Sequence, residues 1–308
     1  MATVVAAAGL LLAAPAGATF AGANGLIARA ARDGIHVARP DGSGDVRVTT
    51  LSPYPYEASL AWGPHGRRIA FSAGHDSYDV FVVDPSSGKT RRLTHGSSHN
   101  LAPSWSPDGH WITFLGARTD DTAIYRVAAS GGTAKRILGA PYITDVERAP
   151  RGSLVAYTAG NPTGNAGEDV YTVGANGTGP RRIVDFPDGS RVASLSWSPD
   201  AHELALEVYS DCGERPVMDC GQLWAVHRDG SHLRPLTAGP GQHPNRVFWA
   251  PFWAPDGASI AFCESHFHPQ TYRASLHLRA VSPGGGDSAI LGPLCGTAWQ
   301  PLRGHEGR

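Results

Sequence analysis

Asp145 and Glu147 stand two residues apart in "ITDVERAP", with Arg148 next to them. Alternate residues of a strand share a face, so the two carboxylates offer oxygen ligands to a hard cation or a charged ligand. The plainer reading is a salt link from one carboxylate to an arginine of a neighbouring repeat unit, or solvation in a wet channel. A second group holds His243, Glu264, His266 and His268. Three imidazoles and a carboxylate suit a transition metal; chance recurrence of His-x-His in a loop is the competing reading. The same stretch carries Trp249, Phe267 and Tyr272, which fit a mouth that anchors a peptide or a sugar or, equally, packing under a long loop. Nucleophile signatures are missing. There is no Gly-x-Ser-x-Gly elbow, and "GGDSAI" around Ser288 is a near miss placed in a turn. No phosphate loop, dinucleotide fingerprint or His-Glu-x-x-His occurs.

The elements that must hold these residues repeat. "LAWGPHGRRIAF", "PSWSPDGHWITF", "VERAPRGSLVAY", "LSWSPDAHELAL" and "PFWAPDGASIAF" share one plan, and a final copy starts "CGTAWQPL". Their anchors are Trp62, Trp105, Arg148, Trp197, Trp253 and Trp299, spaced 43 to 56 residues apart. After each complete anchor come a turn, a short apolar strand, a polar loop, a second strand such as "DVFVV" or "DVYTV", and a last strand such as "TRRLT" or "PRRIV". Each unit is therefore four short strands. One such meander cannot bury both faces, and arranging several around an axis covers them. The fold class expected is all-β: a six-bladed β-propeller of four-stranded antiparallel blades.

Ring closure is also readable. Residues 24–50 hold three strands of a unit without its Trp-Pro strand, and the C-terminus holds that strand alone. Pairing residues 295–302 with the N-terminal strands completes blade one and removes the open edges. On the innermost strands, positions one and three before the anchor are mostly small, and those two before are mostly apolar. This puts the small set toward the axis and the apolar set between blades. Blade four breaks the pattern with Asp145 and Glu147.

The stretch "NGLIARAARDGIHVARPDGSGDVRVTT" and the "WSPDG…I(A/T)F" motif resemble TolB-type (WD40-like) propeller repeats, related to the propellers of prolyl-oligopeptidase-like enzymes. The resemblance covers residues 24–302. It implies an envelope role and a binding surface. The chain shows no room for the α/β domain that precedes the TolB propeller, nor for the hydrolase domain of the peptidases.

Residues 1–25 carry no charged side chain. Their apolar run is short of the ~20 residues that span a bilayer and ends at Ala16-Gly17-Ala18, which fits signal-peptide cleavage. The expected organisation is a signal peptide at 1–18, a short linker at 19–23, the propeller at 24–302 and a disordered tail at 303–308. In an oxidising compartment four cysteines suggest two disulfides, with three connectivities available. Placed on the propeller, Cys212 and Cys220 staple the long loop of blade five, and Cys263 and Cys295 tie blade six to the closing strand. Formal net charge is −1, so no basic field invites nucleic acid. The reading is an exported, periplasmic or extracellular monomer acting as a non-catalytic binding module for a protein, peptide or cell-wall component. It requires no cofactor and leaves room for a divalent cation. The alternative is a metal-dependent lyase or hydrolase using His243, His266 and His268, since oligogalacturonate lyases are propellers that build a metal site from histidines on such a face.

Overall fold

A computed structural model describes residues 19–51, 60–96, 98–118, 121–140, 142–160, 168–186, 190–209, 221–238, 246–268 and 273–302. Six four-stranded antiparallel sheets form it. Blade one holds β1 (Ala23–Ala31), β2 (Gly34–Ala38) and β3 (Val46–Thr49), with β24 (Ala298–Leu302) as its innermost strand. Blade two holds β4 (Leu60–Trp62), β5 (Ile69–Gly74), β6 (Tyr78–Val83) and β7 (Thr90–Arg92). Blade three holds β8 (His99–Trp105), β9 (Trp111–Arg118), β10 (Asp121–Ala128) and β11 (Lys135–Gly139). Blade four holds β12 (Ile143–Arg148), β13 (Leu154–Ala159), β14 (Asp169–Gly174) and β15 (Arg181–Val184). Blade five holds β16 (Arg191–Trp197), β17 (Glu203–Tyr209), β18 (Gly221–His227) and β19 (Arg234–Pro235). Blade six holds β20 (Arg246–Trp253), β21 (Ile260–His268), β22 (Arg273–Val281) and β23 (Ala289–Gly292).

The ring closes by pairing, as the repeat count requires. Ala28 faces Ala298, Ile27 faces Trp299, and Asn24 faces Pro301. The innermost strands, β24, β4, β8, β12, β16 and β20, neighbour one another around the axis.

The repeated phrase has a clear job. In blade three the Gly109 amide donates to the Ser106 carbonyl at 2.9 Å. Asp108 Oδ1 accepts from the Ser106 hydroxyl at 2.5 Å and from the His110 amide at 2.9 Å. Pro107 presets the corner, and Gly109 takes φ +68, a region glycine enters without strain. Blade five repeats the turn with Ala201 at φ 61. Trp62, Trp105, Trp197 and Trp253 are buried. The Trp105 indole Nε1 donates across the seam to the Ala61 carbonyl at 3.0 Å, and that of Trp197 to the Glu147 carbonyl at 3.3 Å.

The core consists of six apolar clusters, one in each seam between adjacent blades. Neighbouring blades therefore bury one another, as the isolated meander could not. An innermost strand has a ladder partner on one side only, so it tolerates proline. Pro103 and Pro251 sit there, each beside an alanine at positive φ (Ala102 at 49, Ala250 at 51) where the register shifts.

Candidate functional site: the channel wall and its two ends

The free edge of each innermost strand presents amide groups that need acceptors. At the seam between blades four and five, blade four supplies carboxylates. Glu168 Oε2 accepts from the Val192 amide at 3.1 Å, Asp145 Oδ2 from Leu195 at 3.0 Å, and Glu147 Oε2 from Trp197 at 2.9 Å. At the next seam Glu207 Oε2 accepts from the Ala250 amide at 2.9 Å and from the Ser194 hydroxyl at 2.8 Å. Glu207 Oε1 accepts from the Tyr209 hydroxyl at 2.7 Å.

Asp145, Glu147 and Glu207 are buried to 1% exposure or less. Burial disfavours their charged forms. It pushes Asp145 and Glu147 well above the usual carboxylate range, with the charges of Glu207 and Glu168 adding at Asp145 and that of Asp145 adding at Glu147. Glu207 rises to about 7, again through burial. Glu147 Oε1 and the Ser196 hydroxyl are buried without a hydrogen-bond partner. Asp145 and Glu147 thus share one wall, as their spacing predicts, and most of their hydrogen-bonding capacity goes to backbone. The Arg148 side chain leaves them. Its guanidinium donates to the carbonyls of Leu154 at 2.6 Å and Gly152 at 2.9 Å, and it lines a cleft of about 230 Å³ on the turn face between blades three and four.

The segment ahead of β1 reaches the channel from the turn face. Thr19 and Phe20 are buried. Phe20 packs with apolar side chains of blades two and three. Ala21 lines a cleft with Arg151, Ser198 and Trp253 of blades four, five and six, and the Gly22 amide donates to the Pro255 carbonyl at 3.0 Å. Two consecutive residues touch opposite sides of the ring, so this segment crosses the channel mouth.

The His-rich group is only partly within the described residues. β21 runs through His268, so His266 and His268 belong to a strand rather than to the expected loop. His243 and Tyr272, and the side chains of Phe267 and His268, lie outside the described residues. Glu264 is buried, and its Oε2 lies 3.4 Å from both Arg246 and Arg279. Trp249 is half-buried on β20, opposite Cys263. Among the described residues no group of three His, Cys, Asp or Glu gathers as a metal site. Cys263 and Cys295 are free thiols, and each donates to a backbone carbonyl: Cys263 to Gly296 at 3.7 Å and Cys295 to His277 at 3.6 Å. Burial raises the Cys263 thiol well above its ordinary value. Cys212 and Cys220 lie outside the described residues.

Sequence reasoning missed Glu168 and Glu207. Glu168 sits at a strand start and resembles a solvated loop acid. Glu207, in "ELALEVY", breaks an apolar strand, and that interruption was the available signal.

Residues 46–171 match the family described as the TolB beta propeller domain, PD40. An uncharacterised protein of Agrobacterium fabrum is 30% identical over 157 residues, which cover 48% of this chain and 53% of that protein. The chain thus aligns with about half the length of that relative. TolB from Acinetobacter baumannii superposes with a TM-score of 0.64 at 21% identity, covering 90% of this chain and 66% of the other. A manganese-bound oligogalacturonate lyase gives 0.57 at 12% identity over 89% of this chain and 77% of the other; at such identity the likeness is one of fold. The six closed blades and their repeated anchors make this chain a six-bladed β-propeller, and its residues 46–171 are similar to the TolB beta propeller domain.

Proposed function

We propose that the protein is an exported, non-catalytic TolB-like module of the cell envelope that binds a protein, peptide or cell-wall component at the loop end of its channel. The observation that carries this reading is the asymmetry of the channel ends. The turn-face mouth is crossed by Thr19–Gly22, which supports the loop end as the place where a partner docks. The half-buried Trp249 stands on a strand leading to that end, a position suited to an aromatic anchor. Export after Ala18 accords with the burial of Thr19 and Phe20, which gives the mature chain an ordered start.

The test is affinity capture from an envelope extract by the mature protein, with identification of the retained component and repetition with Trp249→Glu. Saturable binding of the purified component, lost in the variant, supports the reading. Equal retention by the variant, or turnover of a polysaccharide by the protein, overturns it. The lyase reading draws on the manganese-bound lyase of similar fold and needs a metal held by His243, His266 and His268. Stoichiometric metal in tag-free protein, lost on His266→Ala, would establish that reading instead.

A further inference from the structure

The same repeat geometry builds two clefts of opposite character on the turn face. In blade five, Glu203 opens β17 opposite His227, and Arg234 lies across β18. Glu203 Oε1 takes Arg234 at 2.8 Å and His227 at 3.2 Å. The cluster therefore neutralises itself. In blade two the register puts Arg68 where Glu203 stands, Asp84 where His227 stands, and Arg91 where Arg234 stands. Arg91 keeps the seam contact of its counterpart: it donates to the Ser130 carbonyl of blade three at 2.7 Å, as Arg234 donates to the Pro283 carbonyl of blade six at 2.7 Å. It lacks the carboxylate.

Lys89 adds a third cation to this cleft of about 570 Å³, which Arg68, Asp84, Lys89, Arg91, His110 and Ser130 help to line. Arg68, Lys89 and Arg91 form no ion pair among the described residues. The one acid, Asp84, already uses Oδ1 to accept from the Ser86 amide at 2.9 Å and its hydroxyl at 2.6 Å. The Arg68 guanidinium is propped over the Trp105 ring, 4.9 Å from its centroid, a stacking that limits its freedom before any ligand arrives.

We infer that the cleft between blades two and three binds a multiply charged oxyanion, with a phosphate group as the chemistry that fits. Two guanidinium forks and an ammonium suit tetrahedral oxygens, which accept in parallel from arginine and as a point contact from lysine. The site lies away from the channel and does not depend on the envelope reading.

Protein exchanged into phosphate-free buffer at low ionic strength is titrated calorimetrically with inorganic phosphate and, separately, with tripolyphosphate. Saturable binding is expected, weakening as salt screens the exposed cations. Arg68→Glu installs the blade-five residue and should lower the affinity about tenfold or more, a loss of about 1.4 kcal/mol. Lys89→Gln, a change at an exposed position, should lower it in the same direction. Binding of both probes assigns the site to the phosphate group, and binding of tripolyphosphate alone assigns it to a phosphate polymer. No saturable binding of either probe, or equal binding by wild type and both variants, overturns the inference.

Discussion

The seams between blades three and four and between blades four and five meet one requirement with different chemistry. In both, an innermost strand offers amides five residues before its anchor and at the anchor itself. At the first seam neutral hydroxyls accept them: Thr122 from Ile143 at 2.9 Å, and Ser104 from Arg148 at 2.7 Å. At the second, Glu168 accepts from Val192 and Glu147 from Trp197. Asp145 adds a third acceptor, where blade three has Ala102. Geometry asks only for an oxygen. A hydroxyl supplies it without an ionisable group, whereas a buried carboxyl makes the seam depend on protonation. Blade four thus couples the wall of the ring to pH, and blade three does not.

The most severe way to break the comparison is to break the ring that both seams share. Truncation after Gly292 removes β24 and opens blade one. The expected result is loss of the cooperative thermal transition, because every seam borders an open circle; circular dichroism melting checks this.

Next in size is the response to pH. A carboxyl that the fold holds neutral contributes fully while the unfolded chain is also neutral, and loses that contribution as pH rises through its folded value. For Glu207 the loss runs from about pH 4.5 to about 7. A rise of that extent corresponds to about 3 kcal/mol. Asp145 and Glu147 act in the same direction. Urea unfolding at pH 5, 6, 7 and 8 should show wild type losing stability relative to Glu207→Gln, which keeps the acceptor and cannot ionise. Parallel profiles would remove the protonation argument.

Single substitutions sharpen the contrast between the seams. Glu147→Ala leaves the buried Trp197 amide unpaired and should cost about 2–3 kcal/mol, whereas Ser104→Ala, which removes a neutral acceptor, should cost about 1 kcal/mol. Glu147→Gln should match or exceed wild type at pH 8. Equal costs for the two alanine variants, measured by chemical denaturation, would show that the chemistry of the acceptor does not matter.

The smallest effect lies in the turn of blade five. Ala201 holds φ 61 where Gly109 holds +68 in blade three. Relief of left-handed strain is worth about 1 kcal/mol, and its buried methyl returns about 0.8 kcal/mol. Ala201→Gly should therefore change stability by well under about 1 kcal/mol, toward stabilisation.

Much of the fold was legible because each blade repeats its turn chemistry. Pro107, Asp108 and Gly109 mark a corner through local dihedral preferences, and copies of that corner count the blades. The incomplete first and last units revealed the closure, since two half-blades of opposite content need each other. The site was legible only in part. Asp145 and Glu147 stood out as a pair, but their partners are amides 50 residues away, and no local pattern shows which amides of a strand face no ladder. The direction of Arg148 was equally hidden. A guanidinium beside two carboxylates suggests an ion pair, yet the carbonyls of its own turn lie closer to hand.

The sequence by itself determined the number of blades, their strand order and the way the ring closes, because these follow from short-range turn preferences and alternating polarity. Only the tertiary structure decided what the odd residues do. Whether a carboxyl is a ligand or an amide acceptor, and whether an arginine is neutralised like Arg234 or left open like Arg91, depends on what the neighbouring blade brings within hydrogen-bonding distance.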